Sequence, residues 1–214
     1  MKAKERARPA ARRTSGGTPA ERTADKTGAR ARLLRPVVLV GMMGAGKTAV
    51  GTVLARMLGV PFRDSDDEIV RAAQMEIPEI FARDGEAFFR ARETEVLGRL
   101  MGAEPAVIST GGGAFMNATN RDLIARHGVS VWLQADVEVL WNRVRHKTTR
   151  PLLRTADPKG TLAALLAERE PLYALADLEV GSAPGLTVEG MAQKVIAALR
   201  AHGDMDEEAR DARD

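Results

Sequence analysis

The segment Gly41–Gly51 reads GMMGAGKTAVG, follows the apolar run Val37–Val40, and has the spacing G-x-x-x-x-G-K-T. Those residue types in that order suit a phosphate. Backbone N–H groups can wrap an anion only where side chains are missing and positive φ is allowed, which Gly41, Gly44 and Gly46 supply. A helix opening at Lys47 aims the positive end of its dipole at the anion, Lys47 reaches the β and γ phosphates, and the Thr48 hydroxyl suits Mg²⁺. Gly44, Ala45, Gly46, Lys47, Thr48 and Ala49 are therefore the candidate nucleotide-binding segment. A plain glycine turn would explain the spacing with no ligand, but a strand before and a helix after match the Walker A loop.

Four further clusters bear on what accepts the phosphoryl group. In FRDSDDE, Asp64 and Asp66 stand two apart at the end of an expected strand, where carboxylates on an extended chain share a face. One suits hydrated Mg²⁺ and the other suits the proton of a substrate hydroxyl. A capped helix start around Ser65, Asp67 and Glu68 explains the same acids without a ligand. In FFRARETE, Arg90 and Glu93 lie three apart on one helical side, so the glutamate can fix a guanidinium suited to a carboxylate. A surface ion pair is the commoner meaning of that spacing. In VISTGGGA, Gly111, Gly112 and Gly113 offer bare amides after a strand, or else a flexible turn. Arg150 in RPLL and Arg169 in EREPLY add two cations, the first for a transferring phosphoryl group and the second for a carboxylate.

The elements that must position these residues alternate. Strands are expected at 37–40, 61–64, 106–109, 129–133 and 177–180, and helices at 47–59, 66–74, 78–84, 86–102, 119–127, 136–145, 159–174 and 187–201. This pattern predicts an α/β fold with helices on both faces of a five-stranded parallel sheet. On the last helix, Val188, Met191, Val195, Ile196 and Leu199 share a face, and Gly203 is the expected stop. Residues 146–157, HKTTRPLLRTAD, follow neither period and are long for a connection, which predicts a mobile lid.

The formal net charge is +3, but residues 1–35 hold eleven Lys or Arg against three acids, a surplus of eight, so the rest of the chain carries about −5. The basicity belongs to a tail over 1–35 without aromatic residues, which predicts disorder and argues against nucleic-acid binding for want of stacking side chains. A transit peptide fits the arginines but not the single serine, Ser15. Residues 203–214 are acidic and expected to fray. There is no cysteine, and His127, His146 and His202 lie far apart, which excludes disulfides and a Cys/His metal site. No run approaches a membrane span. A cytoplasmic monomer is the expectation.

With no N-K-x-D guanine signature, a GTPase switch fits poorly, and the domain over 36–202 is small for a motor. Taken together the motifs resemble the shikimate kinases: the Walker loop Gly41–Thr48, D-x-D at Asp64 and Asp66, F-R-x-x-E at Phe89, Arg90 and Glu93, the triple glycine at 111–113, R-P-L-L from Arg150, and R-x-P-L-Y from Arg169 to Tyr173. The order holds from about Val37 to Arg200. Thr110 stands where relatives often carry an apolar residue.

The resemblance implies a P-loop kinase fold and transfer of the ATP γ-phosphoryl group to the 3-hydroxyl of shikimate. It implies that Asp66 meets the shikimate hydroxyls, that Arg90, Arg169 and Gly112 hold its carboxylate and ring, and that Lys47 and Arg150 contact the phosphates. Thr48 would bind Mg²⁺, Asp64 would lie near it through water, and Arg143 with the loop around Ser182 to Gly185 would flank adenine. Two rivals stand beside it. One is a kinase for another small metabolite, such as gluconate or a nucleoside monophosphate; the other is a non-catalytic nucleotide-dependent binding protein.

Overall fold

The central strand of the main sheet, Val37–Val40, is a short apolar run that stops where Gly41 begins. The computed structural model describes residues 31–146, 151–153, 155–183 and 185–207. In chain order the elements are β1 (Ala31–Leu33), β2 (Val37–Val40), α1 (Lys47–Leu58), β3 (Phe62–Asp64), α2 (Ser65–Ala73), α3 (Ile77–Met101), β4 (Val107–Ser109), α4 (Ala118–His127), β5 (Val129–Gln134), α5 (Val137–Val144), α6 (Pro158–Tyr173), β6 (Leu178–Gly181), α7 (Val188–His202) and β7 (Met205–Glu207). Short 3₁₀ turns cover Ala114–Met116 and Pro151–Leu153.

The five-stranded sheet has the order β3-β4-β2-β5-β6, with every neighbouring pair parallel. All four residues of β2 are buried, as expected of a central parallel strand covered on both faces. From β2 the chain runs out to β3 and returns to β4, so right-handed crossovers put α1 and α3 on opposite faces of the sheet. α7 packs on α1 and α4 packs on α3, completing the two helical layers. Later strands lie to the other side of β2, so the order reverses at its carboxyl end. That is where ligands enter open α/β sheets.

Most boundaries fall within a residue or two of the expected ones, and the reasons for the differences are local. The two helices expected at 78–84 and 86–102 form one element, α3, interrupted at Gly85 (φ 82°, ψ 172°). On α7, Met191, Ala192, Val195 and Leu199 are buried, whereas Val188 is exposed at the first turn.

Residues 1–30 and 208–214 of the expected tails lie outside the described residues, and the described residues beside them pair. Ala31–Leu33 pairs antiparallel with Met205–Glu207, Leu33 is buried, and Leu34 N–H donates to the Asp204 carbonyl at 3.1 Å. Asp204, 3% exposed, accepts from Arg35 Nε at 2.6 Å and contacts His202 Nδ1 at 2.7 Å. The two segments meet because α7, packed on α1, ends near the start of β2. A ribbon of three residues per strand, paired across the length of the chain, leaves no periodic trace. Among the described residues, no helix is long and apolar enough to cross a membrane.

Candidate active site

The loop after β2 turns on glycines at φ 135° (Gly41), 85° (Gly44) and 97° (Gly46), backbone that L side chains rarely adopt. Space forbids a side chain at Gly44 as well, since a β-carbon there would sit 2.7 Å from Val144 Cγ1. Lys47 opens α1 and folds back, its Nζ donating to the Gly41 carbonyl at 2.8 Å and the Met42 carbonyl at 3.1 Å. Its ammonium is thereby held over the loop, where the α1 dipole also favours an anion. Arg143 on α5 donates to the Gly44 and Ala45 carbonyls, each at 3.2 Å, and to Ser182 Oγ at 3.1 Å. It joins the phosphate loop to the loop after β6. A cavity of about 790 Å³ opens above, lined by Lys47, Thr48, Asp64, Asp66, Gly112 and Arg143 among others.

Asp64 ends β3, but Asp66 already lies in the first turn of α2, so the extended-strand argument for a shared face does not hold. Asp64, rather than Ser65, caps the helix: its Oδ1 accepts from Asp66 N–H at 3.1 Å. The other oxygen, Oδ2, accepts from Thr48 Oγ1 at 3.1 Å. These two oxygens are hard donors of the kind Mg²⁺ takes, and that ion is ordinarily held by one or two carboxylates plus phosphates. Among the described residues no cluster of three acids, histidines or cysteines could hold a metal.

The triple glycine has a different basis from the phosphate loop. None of Gly111, Gly112 and Gly113 has positive φ, so the backbone does not call for glycine there. At Gly111 and Gly113 the demand comes from the side chains they face, whereas at Gly112 a β-carbon would make only ordinary contacts. A β-carbon on Gly111 would fall 2.8 Å from Asp66 Oδ1, one on Gly112 3.8 Å from Arg169 Nη1, and one on Gly113 2.7 Å from Arg90 Nη2. Three consecutive residues thus receive a carboxylate and two guanidiniums from α2, α6 and α3.

These side chains are held from behind. Arg90 is tied to Glu93 through Nη1 at 3.0 and 3.2 Å, and to Glu86 through Nε and Nη2 at 3.3 and 3.2 Å. Glu93 is 1% exposed; burial raises its carboxyl above the ordinary glutamate value, outweighing the pull of Arg90, and Asp66 and Glu86 add to the rise. Tyr173, fully buried, donates from its hydroxyl to the Gly112 carbonyl at 2.6 Å. Burial raises its phenol above the ordinary value of 10.0 against the opposing charge of the Arg169 guanidinium, so it stays a protonated donor at neutral pH. Trp132 stacks on Tyr173 with ring centroids 6.1 Å apart. Thr110 answers its own peculiarity, since its hydroxyl donates to the Leu39 carbonyl at 3.1 Å and extends the β2–β4 pairing.

A family model described as shikimate kinase matches residues 43–200. The chain belongs to the shikimate kinase family. The shikimate kinase of Ruegeria pomeroyi is 62% identical over 178 residues, covering 83% of this chain and 91% of that one. That of Cereibacter sphaeroides is 63% identical over 175 residues, covering 82% and 87%. Among solved structures, a shikimate kinase from Acinetobacter baumannii in complex with shikimate matches with a TM-score of 0.74 at 40% identity, covering 79% of this chain and 94% of that one. A gluconokinase from Sinorhizobium meliloti 1021 matches with a TM-score of 0.55 at 19% identity, a likeness of fold alone.

Of the expected site residues in this shikimate kinase family member, the structure gathers Lys47, Thr48, Asp64, Asp66, Arg90, Gly111, Gly112, Gly113, Arg143 and Arg169 around the carboxyl ends of β2, β3 and β4. Arg150 lies outside the described residues, as do residues 147–149 and 154 of the expected lid. Two residues had no role in the sequence reading. Tyr173 appeared only as the end of R-x-P-L-Y, and Glu86 not at all; its spacing of four from Arg90 was the available signal.

Proposed function

We propose that this protein transfers the γ-phosphoryl group of ATP to the 3-hydroxyl of shikimate, giving shikimate 3-phosphate and ADP. The observation that carries the reading is the convergence of Asp66, Arg169 and Arg90 on three consecutive glycines beside the phosphate loop. A ring acid with vicinal hydroxyls fits such a wall. The two guanidiniums suit its carboxylate, and the carboxylate of Asp66 suits a hydroxyl that must lose its proton.

In this reading the nucleotide's phosphates lie on the backbone of Gly44–Ala49 at the start of α1, with Lys47 countering the charge that spreads over the transferring group. Arg143 and the loop from Ser182 flank the adenine. Asp66 accepts the proton of the attacking hydroxyl, and in-line transfer proceeds without a phosphoenzyme. Thr48 and Asp64 would hold Mg²⁺, which when bound neutralises charge on the phosphate oxygens. Arg150 is assigned to the transferring phosphoryl group on family likeness, together with closure of the 146–157 segment. Positioning and charge do most of the work, because phosphoryl transfer asks little covalent chemistry of the protein. The protein acts as a cytoplasmic monomer.

ADP release measured with shikimate, gluconate and nucleoside monophosphates tests this directly. Turnover with shikimate is expected; turnover with gluconate or a nucleotide but not shikimate would reverse the assignment. Trp132, against both Tyr173 and the Gly41 turn, is the fluorophore placed to report binding of shikimate and ADP.

A further inference from the structure

A guanidinium carries five N–H groups in a planar fork. On Arg90, Glu86 Oε1 takes the edge formed by Nε and Nη2, and Glu93 takes Nη1. What these two leave is the outer edge, with one N–H on each terminal nitrogen. That edge faces Gly113, where a β-carbon would lie 2.8 Å from Nη1 and 2.7 Å from Nη2.

Gly113 has φ −93° and ψ −14°, a conformation open to any residue. Its lack of a side chain answers to the Arg90 fork and not to the backbone. The position of Glu86 is equally constructed. It follows Gly85, whose φ of 82° and ψ of 172° belong to a region occupied essentially by glycine. The second arm of α3 therefore begins at Glu86, one helical turn before Arg90, so that the two side chains meet as an i,i+4 pair.

Building on the shikimate reading, we propose that Glu86 is a positioning residue for the substrate carboxylate. With Glu93 it turns Arg90 so that only the outer fork is open, and Gly113 leaves that fork room for one carboxylate bound end-on. The Glu93 side chain is 1% exposed, whereas that of Glu86 is 69% exposed. Glu86 thus sets the rotation of the fork about an anchor that Glu93 provides.

Bare Coulomb reasoning points the opposite way, since deleting a carboxylate beside an anion site should tighten anion binding. The test exploits that opposition. Glu86→Ala is expected to raise KM for shikimate about three- to tenfold while kcat stays within about twofold and KM for ATP is unchanged, the loss of an oriented charged hydrogen bond rather than of catalysis. Glu86→Gln, which keeps an acceptor oxygen, restores most of the affinity. Gly113→Ala is expected to raise KM for shikimate about tenfold or more, and to shrink the preference for shikimate over its neutral carboxamide. An unchanged or lowered KM in Glu86→Ala, with wild type turning over shikimate normally, overturns the inference alone. Wild type that binds neither shikimate nor its carboxamide overturns the function as well. Glu86 lies on the surface, so its variants decide the matter even if Gly113→Ala fails to fold.

Discussion

The Tyr173 hydroxyl and the Gly112 carbonyl oxygen lie 2.6 Å apart, in a hydrogen bond that ties the last turn of α6 to the middle of the glycine wall. The Arg169 guanidinium acts on the same phenol, its charge favouring the ionised form. Tyr173→Phe removes the bond to Gly112 and leaves a half-buried carbonyl without its donor. It is expected to lower stability by about 1–2 kcal/mol and to raise KM for shikimate, with KM for ATP unchanged. Thermal unfolding and steady-state kinetics check this, and equal losses for both substrates would show that the bond serves the fold only.

Asp66 meets Gly111 from the first turn of α2, where the helix dipole favours an ionised carboxylate. Asp66→Asn keeps the size and removes the base. Turnover should fall about 10²- to 10⁴-fold, with shikimate still bound when measured by calorimetry. Activity near that of wild type would remove Asp66 from the chemistry.

Glu93 carries a pH signature whose sign follows from burial. Its carboxyl is raised above the ordinary value of 4.5, so the native protein holds a proton that the unfolded chain has already released just above that pH. The contribution of Glu93 therefore falls as pH climbs through that window. The raised Arg90 value acts only in the far alkaline range. Urea unfolding of wild type and Glu93→Gln from about pH 4 to 7 should show the stability difference moving toward the variant as pH rises. A constant difference would mean that Glu93 titrates normally.

Asp204 joins the β1 and β7 segments through Arg35, His202 and the backbone of Leu34, and is not among the cavity-lining residues. Asp204→Ala is expected to cost about 1–3 kcal/mol, or several degrees in Tm, for loss of a buried charged partner. Its kcat and both KM values should match wild type. A kinetic change at constant stability would show that the terminal ribbon communicates with the site.

Much of the site was legible because its chemistry is contiguous. The phosphate loop packs strand, glycines, lysine and hydroxyl into eight residues, Gly41–Thr48, so their local geometry follows from local sequence. The Gly85 break was legible too, as a gap between two helical segments. The reason for Gly111–Gly113 was not. Glycine suggests a special backbone, and here the backbone is ordinary while the crowding, at Gly111 and Gly113, comes from side chains many residues away. The same holds for Glu86, which reads as a surface acid until Arg90 is seen to point at Gly113.

By itself the amino-acid sequence determined the alternation of strands and helices, the phosphate-binding turn, and the separation of a basic start from an acidic remainder, since periodicity and charge are written along the chain. Only the tertiary structure decided which acid or arginine meets which glycine, that Asp64 rather than Ser65 caps α2, and that Ala31–Leu33 pairs with Met205–Glu207. Those outcomes depend on contacts between residues distant along the chain. Such contacts arise from how the sheet and helices pack, and no short window of sequence encodes them.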